Sequence, residues 1–294
     1  MNDRFAIVGR RKTEDTSSYS IKPWYKRQPI VAEIILALLV LGCTVGTFFL
    51  PKDPTYMDLS HCGVAPCKEF LFGTDTMGRD IFSMIWYGGR ISLFIGVLAT
   101  FISTIIAVGV GGISGIANSF WDSLIMRFTE ILLAIPSLLL VVFLQAILGE
   151  SNVISIAVVI GVTGWMSIAK VVRTEVRQLR NSEYILAARM MGGKFFYTLW
   201  HHLAPNFVSS IMFMVVMSIR SAIVAESTLS FMGMGLPLDV ISWGSMLSLS
   251  EKALLSGYWW IIIIPGLFLV VTLLCITEIG NAIRKHFSVG ERML

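Results

Sequence analysis

Six stretches of about twenty predominantly apolar residues divide this chain, at roughly residues 30–50, 91–116, 124–148, 153–172, 207–225 and 259–280. Each has the length of an α-helix crossing the hydrocarbon of a bilayer, where every backbone N–H and C=O must be satisfied within the segment itself. No water-soluble core accommodates so many. The bulk numbers agree: 55% of the 294 residues are hydrophobic, only 14% are charged, and the mean hydropathy is +0.76. The expected fold class is therefore all-α integral membrane, with six transmembrane helices. A net charge of +4 gives no reason to expect nucleic acid as a partner. Residues 1–29 are polar and basic, and no small-residue cleavage site follows Ile30 to Leu50. That run reads as a retained first helix rather than a signal peptide.

Basic residues set the expected orientation, because cytoplasmic flanks collect Lys and Arg. One side receives the N-terminal tail, then Arg173, Arg177, Arg180, Arg189 and Lys194, and finally Arg284, Lys285 and Arg292. The other side is balanced or acidic. Both termini are thus predicted to be cytoplasmic in a multi-pass protein of the cell membrane. The reading gives a cytoplasmic tail (1–29), a first helix (30–50), an outer segment (51–90), a core of five helices (91–280) and a cytoplasmic tail (281–294). The core holds a cytoplasmic loop (173–206) and an outer segment (226–257) whose Gly233, Gly235 and Pro237 suggest a short helix dipping back toward the membrane.

The cytoplasmic loop contains "SEYILAARMMGGKFFYTLWHHLAPN", Ser182 to Asn206. Read as a helix, it has Asn181 or Ser182 as N-cap, Glu183 in the first turn, and Gly192 with Gly193 as a stop. Its small residues allow close approach of another protein. An amphipathic helix lying on the lipid surface is the other reading of the same spacing.

The loop resembles the EAA signature of prokaryotic ABC importer permeases in its peptide-type form, through Glu183, Tyr184, Ala187, Ala188, Arg189, Gly192, His202, Pro205 and Asn206. "FGTDTMGRDIFSMIWYGGRISLFIG", "MRFTEILLAIPSLLL", "ESTLSFMGMG" with "SWGSML", and "WWIIIIPG" follow the order and spacing of the second permease subunit of dipeptide, oligopeptide and nickel importers. Departures occur at Ala204, in "LPLDVI" and in the tail "TEIGNAIRKHF". The resemblance implies a type I ABC importer transmembrane domain, partnered by a homologous permease, two ATPase subunits and an extracytoplasmic solute-binding protein. It also implies that the loop is a coupling helix, with Glu183, Tyr184, Ala187, Ala188, Arg189 and Gly192 meeting an ATPase. ATP and Mg would be bound by those partners, because the only Gly-Lys pair, Gly193-Lys194, is not a phosphate loop. No cofactor, metal site or catalytic constellation is expected in the chain. An uncoupled channel or scaffold is the alternative function.

Several residues outside the loop call for an account. Gly111 and Gly115 at four-residue spacing predict close helix packing, and Pro136 predicts a kink. Arg220 lies within the fifth apolar window, so it either faces the pathway, pairs with Glu226 or a partner's acid, or reaches headgroups. Gly73, Asp75, Gly78, Arg79 and Asp80 form a turn-rich charged stretch, read by resemblance as outer vestibule or as a heterodimer seal. Cys62 and Cys67 flank a loop short enough for a disulfide, with unbonded thiols or metal handling near His61 as the other readings. These leave the solute open, with a slight tilt toward metal.

Overall fold

A computed structural model describes residues 29–50, 52–149, 151–180, 204–237, 239–249, 253 and 256–290. Among them the backbone is helical, apart from turns and one isolated bridge between Thr74 and Asp80. The helices are α1 (Ile30–Thr44), α2 (Ile81–Ile116), α3 (Ser119–Ala134), α4 (Ser137–Leu148), α5 (Val153–Gly164), α6 (Met166–Arg180), α7 (Ala204–Phe231), α8 (Trp243–Ser248) and α9 (Trp260–Gly290). Local chemistry sets their ends. Asp80 caps α2 by accepting from Ser83 N at 2.9 Å, and Asn118 caps α3 through Trp121 N at 3.1 Å. Asn152 with Ser155, and Ser242 with Ser245, form capping boxes that start α5 and α8. Gly149 ends α4 in the left-handed region, at φ 71°.

Three helices are long and apolar enough to span a bilayer: α2, Ile211–Phe231 of α7 and Trp260–Lys285 of α9. Two pairs reach that length only together, α3 with α4 across a 92° bend and α5 with α6 across 44°. The helix α1 is apolar but has only 15 residues. The expected single third span is therefore two helices, and the break at Pro136 is far sharper than a kink. Proline lacks an N–H and disfavours helical geometry in the residue before it; Ile135 accordingly sits at φ −82°, ψ 128°.

Two expected boundaries also move. The helix α2 begins at Ile81, ten residues before the apolar window, because protein covers its first turns: Ile81, Met84 and Ile85 are buried with Trp243, Trp260 and Cys43. The helix α7 continues to Phe231, so Glu226 is helical and the outer segment starts after it. Arg173 to Arg180 likewise belong to α6 rather than to the loop that follows.

The helix α2 is the hub. A Cβ on Gly111 would stand 2.5 Å from the Ala169 carbonyl, and one on Gly115 would stand 2.8 Å from Val176. Those glycines let the backbones of α2 and α6 touch, as their spacing predicts. On the other side Ile95 and Ala99 bury against Ile156, Ala157 and Ile160 of α5 and Ala222 of α7. Large apolar side chains such as Phe101, Phe143 and Ile131 point outward, as a surface facing lipid tails allows.

Candidate functional site

The bend between α3 and α4 opens a cavity of about 750 Å³ against α2, α5, α6 and α7. Leu133, Ile135, Pro136 and Ser137 form one wall, Ser103 and Thr163 the back, and Met214, Met217, Ser218, Ser221 and Thr228 of α7 the opposite wall. Every lining side chain among the described residues is uncharged; the polar ones are hydroxyls. Ser103 is 1% exposed, and its Oγ has no hydrogen-bond partner among the described residues. Such a wall can hydrogen-bond a passing solute without selecting its charge.

Arg220 is not part of that wall. It is exposed and forms no ion pair among the described residues. The expected partner, Glu226, is fully buried and saturated by hydroxyls: Ser92 Oγ donates to Oε2 at 3.0 Å and Ser230 Oγ to Oε1 at 2.9 Å. Six residues of helix turn the two side chains to different faces, which rules out the pairing. Ser92 in turn accepts from Trp243 N at 3.2 Å, and Trp243 Nε1 donates to the Ile85 carbonyl at 3.0 Å. Glu226 is thus the centre of a junction of α2, α7 and α8.

Within the stretch Gly73 to Asp80 the charged side chains turn inward and form an internal brace. Asp75, Arg79 and Asp80 are buried; Arg79 Nε meets Asp75 Oδ2 at 2.7 Å, and the other carboxylate oxygen accepts from the amides of Met77 and Arg79. Trp260 Nε1 donates to the Thr74 carbonyl at 3.0 Å, and Gly63 N donates to the Asp75 carbonyl at 2.9 Å. Gly73 and Gly78 hold φ of 77° and 76°, and a Cβ on Gly78 would collide with the Asp58 carbonyl. The outer segment is thereby stitched to the starts of α2 and α9.

Cys62 and Cys67 are free, exposed thiols, so the short disulfide loop does not close. Cys67 instead starts a turn in which its amide donates to the Phe70 carbonyl at 2.8 Å. His61 is bound to Asp58 at 2.7 Å. The Ser60 hydroxyl, and then His61, draw the Asp58 carboxyl down to about 2. Glu183, Tyr184, Ala187, Ala188, Arg189 and Gly192, the residues expected to meet an ATPase, lie outside the described residues.

What sequence reasoning missed is at the opposite end of the bundle, at the base of α6. Asp122, on the first turn of α3, receives Arg173 Nε and Nη2 at 2.5 Å each, Arg177 Nη1 at 2.9 Å and Ser114 Oγ at 2.6 Å. Arg180 Nη1 donates to the Ile116 carbonyl at 2.6 Å, where α2 leaves an orphan acceptor. Arg127 and Glu130 pair with each other at 3.4 Å, and Glu130 also meets Lys170 of α6 at 3.6 Å. The available signal was an aspartate beside an apolar window, with a cluster of arginines some fifty residues later.

A neutral cavity walled by broken helices in an apolar helical bundle has the form of a transmembrane transport subunit, and similarity to known proteins gives the type. The bundle is similar to the MetNI methionine ABC transporter in an inward-facing conformation, with a TM-score of 0.54 and 17% identity over 69% of this chain and 95% of that one. This is the fold of a type I ABC transporter permease. Residues 107–288 match the family model described as binding-protein-dependent transport system inner membrane component, and the chain belongs to that family. It is 36% identical to the dipeptide transport system permease protein DppC of Bacillus subtilis, over 96% of this chain and 91% of that one. The oligopeptide permease OppC of the same organism is 36% identical over 87% of this chain and 83% of its own length. OppC of Haemophilus influenzae is 34% identical over 99% and 92% respectively.

Proposed function

We propose that this chain is one of two transmembrane subunits of an ATP-driven importer of peptides. The observation that carries the proposal is near-full-length similarity, at 34–36% identity, to permeases named for dipeptide and oligopeptide transport. The uncharged, hydroxyl-bearing cavity supports it, since peptides share a backbone but differ in charge. No observation favours nickel over peptides.

In this reading the basic end of the bundle is cytoplasmic, with both termini there, and the junction around Glu226 faces outward. A homologous permease completes the pathway, two ATPases bind ATP and Mg, and a solute-binding protein delivers the peptide. The segment between α6 and α7, through Glu183 to Gly192, meets an ATPase. Nucleotide-driven closure then shifts the bundle between inward-facing and outward-facing states, which requires those partners to bind the two states with different affinity.

The test is uptake of labelled dipeptide and of radioactive nickel by cells with and without the chain, repeated with Gly192→Trp. Peptide uptake is expected to be lost in both the deletion and the variant, while nickel uptake is unchanged. A nickel-only loss would reverse the choice of solute. Full peptide uptake with Gly192→Trp would favour the uncoupled channel.

A further inference from the structure

The strongest unassigned arrangement is the charge cluster around Asp122. The helix α3 is otherwise poorly anchored. Most of its side chains are exposed, and its buried stripe is Asp122, Met126 and Thr129. An apolar gap of about 480 Å³, lined by Val110, Phe128 and Trp165 among others, lies between it and the bundle. One carboxylate therefore ties α3 to the bundle at its base, with two guanidiniums and a hydroxyl on its two oxygens. Arg173 and Arg177 stand on the last turns of α6, shortly before the segment 181–203 that the proposed function assigns to coupling. The far end of α3 leads into Ile135 and Pro136, which line the cavity.

Resting on the proposed function, we propose that Asp122 is a positioning residue for coupling. By gripping Arg173 and Arg177 it makes the base of α6 and the base of α3 move as one piece. A displacement of the loop is then carried along α3, 16 residues or roughly 24 Å of helix, to the broken wall of the cavity. The geometry suits rigid transfer. A bidentate guanidinium–carboxylate pair fixes orientation as well as distance, and Asp122 is 4% exposed, so water does not readily replace its partners. Without the grip, the same displacement would be taken up at the 44° bend between α5 and α6 and would not reach α3. Glu130–Lys170 cannot substitute, because both side chains are more than 40% exposed and separated by 3.6 Å.

The experiment uses the complete importer in proteoliposomes, measuring peptide uptake and ATP hydrolysis together, with the yield of assembled complex as a control for folding. Asp122→Asn is expected to raise the ATP consumed per peptide on the order of tenfold, within the usual range of a coupling free energy. Hydrolysis by each assembled complex persists. Asp122→Glu is expected to recover most of the ratio. If Asp122→Asn yields no complex, Arg173→Gln reads the same ratio, with Arg177 left on the carboxylate. An unchanged ratio, or uptake and hydrolysis falling in proportion, overturns the proposal by reducing Asp122 to a purely structural role. Failure of the peptide-import reading itself shows separately, as absence of peptide uptake by the unmodified complex.

Discussion

Three of the buried carboxylates among the described residues are satisfied in three different ways, and the differences follow from what surrounds each. Asp75 takes an arginine four residues on, within one turn-rich brace; Glu226 takes only hydroxyls; Asp122 takes both. A buried charge stripped of its partners is strongly destabilising, so each marks a point where the fold tolerates little change. Asp58 is the exposed counterpart, and its carboxyl is drawn from 3.8 to about 2 by the Ser60 hydroxyl first and His61 second. A depressed carboxylate contributes its stability in full above its unfolded value, near pH 4, and loses it as pH falls toward 2. The difference in Tm between the native chain and Asp58→Asn is therefore expected to be present at pH 5 and to close as pH falls from 4 toward 2. A difference that persisted undiminished at pH 2 would contradict this account of the outer segment.

At the scale of elements, close approach of α2 and α6 is the most demanding contact. Gly111→Ala drives a methyl group into the Ala169 carbonyl and Val172, where backbone cannot yield cheaply. Overpacking of this kind destabilises by about 1–3 kcal/mol. Gly109 sits two residues earlier with nothing within 4 Å of an added Cβ. Gly109→Ala should stabilise instead, by about 0.5–1 kcal/mol, through helix propensity alone. Thermal unfolding of the two variants in detergent checks the pair, and equal Tm values would remove the steric argument. The contrast also marks how far sequence reading reaches. Small residues four apart, Gly111 and Gly115, announce a helix contact, and Pro136 announces a break, because both effects are local. Which helix packs against Gly111 is not local. Nor is the meeting of Asp122 with Arg173, 51 residues away, since apolar windows identify spans without ordering them in space. The early start of α2 escaped for a related reason: Trp86, Gly88, Gly89 and Arg90 interrupt the apolar window, and only the packing of Trp243 on Gly89 shows that protein covers this face.

At the scale of the whole molecule, a hydrogen-bonded junction around Glu226 and Trp243 and a clamped base around Asp122 bracket a cavity whose own wall is broken at Pro136. Tight ends with a loose middle are what alternating access requires, because motion must be delivered to the cavity rather than dissipated at the ends. The uncharged wall has a consequence for selection: with no fixed charge in the lining, peptides of either sign should cross at comparable rates once delivered. Ser221, on the α7 wall and exposed to the cavity, tests this. A carboxylate introduced as Ser221→Asp would act on a peptide charge about 6 Å away with an energy of about 1–3 kcal/mol in the partly screened interior. Uptake of cationic over anionic dipeptides in reconstituted complexes should shift on the order of tenfold. Ser221→Trp should instead obstruct all peptides, longer ones most, while ATP hydrolysis continues. If Ser221→Asp left the charge preference unmoved while Ser221→Trp left uptake intact, the solute would not pass this wall, and the pathway would belong to the partner permease's side of the interface.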